Sequence, residues 1–191
     1  MTRELFIWCL SAMVLFWFVG AFKRLKRIRV GLARDIHSIG LILGQKISYV
    51  RTSPNFPDLP TAHTRPVDKK SLGYFEQAWY LMAESCQSLI DQNKKVENKY
   101  LDSAAVTSLI CARKDFIKAW GDLRCIPQGP EGPGLPEILL LQWDGLDMQE
   151  EVYMVKFNTQ ADFYNSIIRK WPVSWLASVM GYDLIPLFQF K

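Results

Sequence analysis

Few residues in this sequence have the types and spacing that enzyme chemistry requires. The only histidines among the 191 residues are His37 and His63, and neither lies in a recognisable metal-binding or nucleophile motif. Asp35 and His37 are two positions apart, so on a helix their side chains point in different directions. The adjacent Glu150 and Glu151 are interpreted as a solvated helix face rather than as a general acid and base. The sequence therefore predicts no catalytic residue and no metal site.

Cofactor binding and cysteine chemistry have no clear signature either. The glycine-containing stretch 129–134, GPEGPG, has prolines where a phosphate-binding loop needs backbone amides that open a helix. Cys9 lies in the apolar segment 5–22, and Cys86, Cys111 and Cys125 form no C-x-x-C pair and are interpreted as small, buried apolar residues of a reducing compartment. The net charge of +4 is too small to indicate nucleic acid binding. We expect no cofactor, no small-molecule substrate and no nucleic acid partner.

An apolar segment near the N-terminus has the length of a membrane span. Residues 5–22, LFIWCLSAMVLFWFVGAF, contain no charge, and as a helix they extend about 27 Å, close to the hydrocarbon thickness of a bilayer. The alternative is a cleaved signal peptide with its cleavage site at residues 19–21. The short N-terminal region carries only Arg3, beside Glu4, whereas the flank after the span is strongly basic. These charges favour a retained anchor.

The flank that follows the span carries six basic residues and no acidic one before Asp35. Basic residues beside a span stay cytoplasmic, so the N-terminus is expected outside and the following domain in the cytosol. The simpler interpretation is that these residues set the topology and touch lipid headgroups, and the alternative is a specific site for anionic lipid. The basic residues are Lys23, Arg24, Lys26, Arg27, Arg29 and Arg34.

The helical period continues beyond the span. Apolar residues recur every three or four positions from Leu25 to Val50, and no proline interrupts residues 5–50. The anchor and the first cytosolic helix are therefore predicted to form one rod, on the order of 70 Å long. Gly40 and Gly44 lie one turn apart on this helix, where a neighbouring helix can approach closely.

Two further helices are predicted in the middle of the chain. The first begins near Val67 and carries a heptad seam typical of a coiled coil, interrupted by the polar Asn93. The seam consists of Leu72, Phe75, Trp79, Met82, Cys86, Leu89, Asn93, Val96 and Tyr100. The chain turns within residues 93–99, and the next helix covers roughly residues 101–122. Its predicted inward-facing residues are Val106, Leu109, Ile110, Phe116, Ile117 and Trp120.

Proline and glycine mark the connecting segments. Residues 51–66 contain four prolines and are predicted to be an extended loop, which is either a connector or a docking segment. Residues 127–136 form a Gly/Pro linker. A fourth helix is predicted over about residues 135–170, with apolar positions that include Leu139, Leu146, Val152, Val155, Phe163 and Ile167. A short helix and an apolar tail occupy residues 172–191, with Gly181 as a left-handed C-cap.

No segment alternates with a strand period. The predicted fold class is therefore all-α: an N-terminal transmembrane helix, residues 1–22, continues into a cytoplasmic antiparallel four-helix bundle, residues 23–191.

The C-terminal stretch FNTQADFYNSIIRKWPVSWLASVMGY resembles the signature of the bacterial LemA family. In that family two Tyr-Asn pairs precede Phe-Pro and a short apolar helix that ends in Gly-Phe. The corresponding residues here are Phe157, Asn158, Tyr164, Asn165, Trp171, Pro172, Gly181 and Tyr182. The stretch AWGDLR, residues 119–124, and the span with its basic flank also fit. Met154 stands where the family has an arginine, so the chain is identified as a divergent member.

The resemblance implies a single-pass protein of the bacterial cytoplasmic membrane with a helical cytosolic domain and no established enzymatic activity. The leading hypothesis is a non-enzymatic scaffold or adaptor that contacts the lipid bilayer and either a protein partner or a second copy of itself. Because relatives are associated with magnetosome membranes, the alternative is a membrane-organisation protein. In that role the basic neck and the aromatic C-terminal segment would contact lipid. A third option is an accessory subunit of a membrane complex.

The same C-terminal stretch therefore has two interpretations. The first is core packing, with the tyrosine and asparagine side chains hydrogen-bonded inside the bundle. The second is an interfacial segment with Trp171, Trp175, Tyr182 and Phe188 at headgroup level.

Overall fold

The computed structural model describes residues 2–53, 56, 73–98, 101–126 and 135–189. These residues form five α-helices and contain no β-strand, which confirms the all-α prediction for this part of the chain. The helices are α1 (Thr2–Arg51), α2 (Tyr74–Asn98), α3 (Ser103–Arg124), α4 (Glu137–Ile168) and α5 (Val173–Val179).

The first helix is one continuous rod of 50 residues, about 75 Å long. Its N-terminal section is long and apolar enough to cross a membrane, and none of its most apolar 18-residue stretch is buried inside the protein. In contrast, Leu25, Leu32, Ile39 and Leu43 are almost fully buried. The rod therefore has an exposed apolar end and a packed second half, as the unbroken helical period predicts.

The packed half of α1 lies against α4, and the two helices run in opposite directions. Arg29 bonds Tyr164, Asp35 contacts Lys156, and Lys46 contacts Asp147. Position numbers on α1 therefore rise as those on α4 fall.

The pairs α1–α2 and α3–α4 are also antiparallel, the latter because Arg113 contacts Glu150 while Arg124 contacts Asp144. Helices α2 and α3 pack closely on each other. His37 and Arg51 of α1 face Glu97 and Gln87 of α2, respectively. Trp143 of α4 stacks on Trp120 of α3, with ring centroids 3.8 Å apart.

Most of the heptad seam predicted for the second helix is buried, but Phe75 and Asn93 are partly exposed. Trp79, Met82, Cys86 and Leu89 are at most 1% exposed, and Val96 is also buried. On α3, four of the six predicted inward residues are buried, and Ile110 and Ile117 are partly exposed.

Several predicted boundaries shift or lie outside the described residues. Helix α2 begins at Tyr74, not near Val67, and Gly73 just before it is not helical. Most of the Pro-rich loop 51–66, the linker residues 127–134, His63, Leu72 and Tyr100 lie outside the described residues. Phe56, within that loop, packs its ring edge-on against Trp79 at 6.5 Å.

Gly40 and Gly44 of α1 have different surroundings. A methyl group at Gly40 would lie 2.4 Å from the Asn93 side-chain oxygen of α2, whereas one at Gly44 would meet nothing within 4 Å. The predicted close approach of a neighbouring helix therefore occurs at Gly40 only.

Helix α4 is apolar on two opposite faces. One face, which includes Trp143, Phe157 and Tyr164, is buried in the core. Three residues among the predicted apolar positions, Val152, Val155 and Phe163, are instead exposed. The sequence analysis did not distinguish these two faces, because the apolar residues of both recur at helical spacing.

Candidate functional site

The C-terminal tail is held against α4 by two asparagines. Asn165 Nδ2 donates to the Ile185 carbonyl at 2.8 Å, and the Ile185 N–H donates to Asn165 Oδ1 at 2.9 Å. Asn158 makes the same pair of bonds with Phe188, at 2.7 and 2.8 Å. Each side-chain amide thus pairs with a tail residue as a neighbouring β-strand would.

The spacing of these residues follows from helix and strand geometry. Asn158 and Asn165 are seven residues apart on a helix, which is about 10 Å. Ile185 and Phe188 are three residues apart in an extended segment, which is also about 10 Å. A seven-residue repeat on α4 therefore matches a three-residue repeat on the tail.

Apolar packing completes this attachment. Ile185 and Phe188 are each 2% exposed, and the Phe188 ring meets the Phe157 ring edge-on at 5.3 Å. The predicted hydrogen bonding of the asparagines inside the core occurs, but their partner is the tail backbone and not another helix.

Arg29 joins the neck, α4 and the tail. Its guanidinium donates to the Tyr164 hydroxyl at 3.0 Å and stands 4.2 Å from the centre of the Tyr182 ring, a cation–π geometry. Burial raises the pKa of Tyr164, and the Arg29 hydrogen bond and charge partly oppose that shift. Gly181, at φ +64°, ends α5 in the left-handed conformation that glycine favours and directs Tyr182 toward Arg29.

The other predicted neck residues lie outside this contact. Lys23, Arg24, Lys26 and Arg27 are exposed, and Arg24 stands 5.9 Å from the centre of the Phe163 ring. The structure thus separates the inward Arg29 from Lys23, Arg24, Lys26 and Arg27 on the surface, and Arg34, farther along α1, is also exposed.

Helix α5 reaches the apolar end of α1. Trp175 meets Phe18 edge-on, with ring centroids 5.8 Å apart. Phe18 lies inside the apolar run of residues 5–22, one turn before its end. Trp171 and Trp175 are 84% and 60% exposed, respectively, whereas Leu176 and Ala177 on the other face of α5 are buried. The aromatic C-terminal segment therefore has a core face and an exposed face. Of the residues predicted at headgroup level, Trp171 and Trp175 are exposed, whereas Phe188 is buried against α4, so its predicted place at the membrane surface is wrong.

A buried ionic cluster lies farther along α1 and α4, and the sequence interpretation missed it. Lys46, which is completely buried, donates to both Asp147 and Glu150, and Arg113 of α3 also contacts Glu150. The Lys46 ammonium stands 5.0 Å from the centre of the Trp143 ring. Two cations and two anions balance each other, so the cluster stabilises one arrangement of three helices.

The interpretation of Glu150 as solvated is therefore wrong. Glu150 is 1% exposed, whereas Glu151 is exposed as expected. Glu150 lies seven residues from both Trp143 and Phe157, on the core line of α4. A charged residue at a core-facing position of the helical repeat could have indicated a buried ion pair. Lys46 occupies such a position in α1.

The remaining candidate residues for chemistry do not converge on one site. Asp35 is buried and binds Lys156 at 2.8 Å and Gln160 at 2.7 Å, both on α4. His37 points elsewhere, toward Glu97 at 3.8 Å, and lines a groove of about 510 Å³ between α1 and α2. The described part of the chain contains no group of three or more His, Cys, Asp or Glu residues placed to hold a metal ion.

Comparisons of the chain with protein-family models, with curated proteins and with solved structures find no match. The resemblance to the LemA signature therefore stays a prediction that rests on the residues quoted above. Of those residues, Phe157, Asn158, Tyr164, Asn165, Gly181 and Tyr182 lie together at the junction of α4, the tail and Arg29.

Proposed function

We propose that this chain is a non-enzymatic, membrane-anchored helical scaffold of the LemA type. In this proposal residues 5–22 cross the bacterial cytoplasmic membrane with the N-terminus outside. Helices α1 to α4 form an antiparallel four-helix bundle in the cytosol. The observation that carries the proposal is the single α1 rod, whose exposed apolar end is continuous with a packed second half.

One contact and the distribution of basic residues support a retained anchor over a cleaved signal peptide. Cleavage after residues 19–21 would remove Phe18, which packs against Trp175. The four exposed bases at positions 23–27 then follow directly, at the depth where the cytosolic headgroups would lie.

The scaffold role is supported by the state of the polar groups inside the bundle. The buried charged residues Asp35, Lys46 and Glu150 are each paired with oppositely charged side chains. In this proposal the paired charges specify how the helices pack, and binding takes place on the outer faces of the bundle. Confinement to the membrane raises the effective concentration of a partner, so a weak interface would be sufficient.

Native cysteines provide a test of the anchor and its orientation. Cys111 and Cys125 are not buried as predicted but exposed near α3, on the proposed cytosolic side. A membrane-impermeant maleimide should leave them unlabelled in intact spheroplasts and label them in inverted vesicles. The intact mass should include residues 1–22. Labelling in intact spheroplasts, or a mature mass that lacks the apolar segment, would refute the proposed topology.

In-cell crosslinking at native expression, followed by affinity isolation and mass spectrometry, tests the scaffold role. A stoichiometric partner, or a stable self-oligomer, is the expected result. Isolation of an uncrosslinked monomer that carries anionic lipid would instead favour the second candidate below.

The second candidate is a membrane-organisation protein. The contact between Trp175 and Phe18 favours it, because that contact brings the exposed Trp171 and Trp175 to the level of the membrane surface. Tryptophan is enriched at such interfaces, and the neck bases beside it would attract anionic lipid.

An environment-sensitive fluorophore distinguishes this candidate. It would be placed at W171C, in full-length protein reconstituted into vesicles of phosphatidylglycerol and phosphatidylcholine. Emission should shift to the blue and be quenched by brominated lipids, and the effect should grow with the anionic fraction. The same label at the native Cys111 is the matched control and should report water. Equal emission from both labels would exclude a lipid-contacting role for the segment.

A further inference from the structure

The solvent-facing side of α4 carries a second heptad seam. Its residues are spaced three and four positions apart in strict alternation, which is the a/d pattern of a coiled coil. We define the outer seam as Ile138, Leu141, Gly145, Met148, Val152 and Val155. The five side chains other than Gly145 are between 49% and 70% exposed.

The outer seam lies opposite the core. The core line of α4, which includes Trp143, Glu150 and Phe157, lies on the opposite side of the helix circumference from the seam positions. Helices α1 and α3 contact that core line, and no described residue covers the seam. A methyl group placed at Gly145 would likewise meet nothing within 4 Å. Helix α4 thus presents an unpartnered apolar strip about 26 Å long.

The direction of the strip argues against a bilayer as its occupant. Tyr164 of α4 lies beside Arg29 in the neck, whereas Asp147 lies beside Lys46, 17 residues farther along α1. On the proposed topology the strip therefore points away from the membrane into the cytosol. A lipid surface would touch one end of it, but a second helix would cover its whole length.

The flanking residues indicate which helix fits. One edge of the seam carries the acidic residues Glu137, Asp144 and Glu151, and the other edge carries Gln142, Gln149 and Lys156; all six are exposed. In a parallel pair of identical helices these two edges meet, so Glu151 of one copy faces Lys156 of the other. In an antiparallel pair the acidic edges would face each other. Lys156, which also binds Asp35, keeps 47% of its side chain exposed.

We propose that the outer seam of α4 is a homodimer interface in which two copies pair in parallel about an axis normal to the membrane. The parallel direction rests on the proposed function, because two copies inserted with the same topology must have parallel α4 helices. The seam has the isologous form that a two-fold dimer requires, since each position meets its own counterpart. Gly145 and the small Thr159, the next position of the repeat, allow the two backbones to approach closely.

Cysteine crosslinking in native membranes tests the direction and the interface together. The background is the full chain with C9A, C111S and C125S, which leaves only the buried Cys86. L141C and M148C should each form a self-disulfide under mild oxidation. K114C, exposed on α3, is the control and should not. Crosslinking of M148C without L141C would indicate an antiparallel pair and overturn the parallel arrangement.

Two substitutions of opposite charge at the exposed position 149 test the contacts that flank the outer seam. Q149K places an ammonium opposite Asp144 of the second copy, and Q149E places a carboxylate there. Dimer affinity, measured by single-molecule photobleaching in nanodiscs or by energy transfer in membranes, should rise roughly two- to tenfold for Q149K and fall by a similar factor for Q149E. V152E should abolish the dimer without unfolding the chain, because Val152 is exposed in the monomer.

Failure of this inference is distinguishable from failure of the anchor. A chain that resists alkaline extraction from membranes, yet gives no disulfide at L141C or M148C, overturns the dimer and leaves the anchor in place. A chain released by alkaline extraction overturns the anchor itself. Crosslinks from the seam to a different protein would replace the second copy by that protein and also overturn the inference.

Discussion

The side-chain amide of Asn165 forms two hydrogen bonds with the backbone of Ile185, one in each direction. Both bonds are buried, and Ile185 itself is 2% exposed. The side-chain amide makes the two backbone hydrogen bonds that a neighbouring β-strand would make with an extended segment. It ties the end of the chain to α4 and holds the preceding Tyr182 close to Arg29.

Replacing Asn165 by alanine should weaken the attachment of the tail to α4. The N–H and the carbonyl of Ile185 would lose their partners while remaining buried, which costs about 2–4 kcal/mol of the free energy of unfolding. Urea unfolding of the full-length protein in detergent would measure the loss, and limited proteolysis should cut the tail faster. Ser166→Ala is the control, because the exposed Ser166 hydroxyl bonds only the Phe163 carbonyl nearby. Equal stability of the two variants would refute this role of Asn165.

The ionic cluster predicts a strong dependence on Lys46. Lys46→Met leaves Glu150 buried with Arg113 as its remaining cationic partner and should cost about 3–5 kcal/mol. Lys46→Met combined with Glu150→Gln should recover part of that loss, because no charge in the cluster then stays fully buried. Arg113 and Asp147, the two charged residues left, lie at the edge of the cluster, where water reaches them. Denaturant titrations of the two variants and the parent chain measure both effects.

An exposed ion pair between α3 and α4 provides the comparison for this cluster. Arg124 and Asp144 are 3.5 Å apart and each is about half exposed, so Arg124→Ala should change the stability by only about 0.5 kcal/mol. A cost for Lys46→Met no greater than that of Arg124→Ala would contradict the structural role of the cluster.

Most of the secondary structure could be predicted from local sequence. The uninterrupted period of α1, the heptad seam of α2 and the left-handed C-cap at Gly181 each depend on residues close in the chain. Such signals are strong because a helix repeats its buried face every three to four residues.

The candidate site was harder to predict because its contacts join distant residues. Arg29 was recognised only as one of several neck bases, since nothing in its neighbourhood marks the approach of Tyr164 from 135 positions away. The cluster around Lys46 includes partners from two other helices. The sequence of any one of these helices therefore shows only an apolar face with one polar residue in it. The sequence of the tail has no helical or strand periodicity. Only the seven-residue spacing of Asn158 and Asn165 indicates which side of α4 the tail packs against.

Gly40 and Gly44 of α1 provide a matched pair for helix packing. Gly44→Ala should stabilise the protein by about 0.5–1 kcal/mol, because alanine favours the helix and the added methyl group meets nothing. Gly40→Ala gains the same propensity but forces the Asn93 side chain to move, so we expect no gain or a net loss. Thermal or urea unfolding of both variants measures the difference. In the Asn93→Ala background the obstruction is gone, so the stability changes caused by Gly40→Ala and Gly44→Ala should become more similar. Identical stability changes for the two substitutions in the parent chain would contradict the close approach at Gly40.

Cys86 makes the stability of the protein depend on alkaline pH. Burial raises the pKa of the Cys86 thiol to about 12, and the charge of Arg51 only partly opposes this shift. Because the folded value lies above the unfolded value of about 9, the thiol's contribution is complete below pH 9 and is lost as the pH rises toward 12. The free energy of unfolding of the parent chain, relative to Cys86→Ala, should fall by about 1.4 kcal/mol per pH unit in that interval.

Urea titrations of the parent and Cys86→Ala at pH 8, 9, 10 and 11 check the expected slope. Cys111→Ala is the control, because Cys111 is exposed on α3 and its replacement should give a difference that does not change with pH. Below pH 9 the folded protein should also react with iodoacetamide at Cys111 and Cys125 but not at Cys86. A constant difference between the parent and Cys86→Ala from pH 8 to pH 11 would mean that water reaches the thiol in the folded state, so that α2 and α3 are not closed over it.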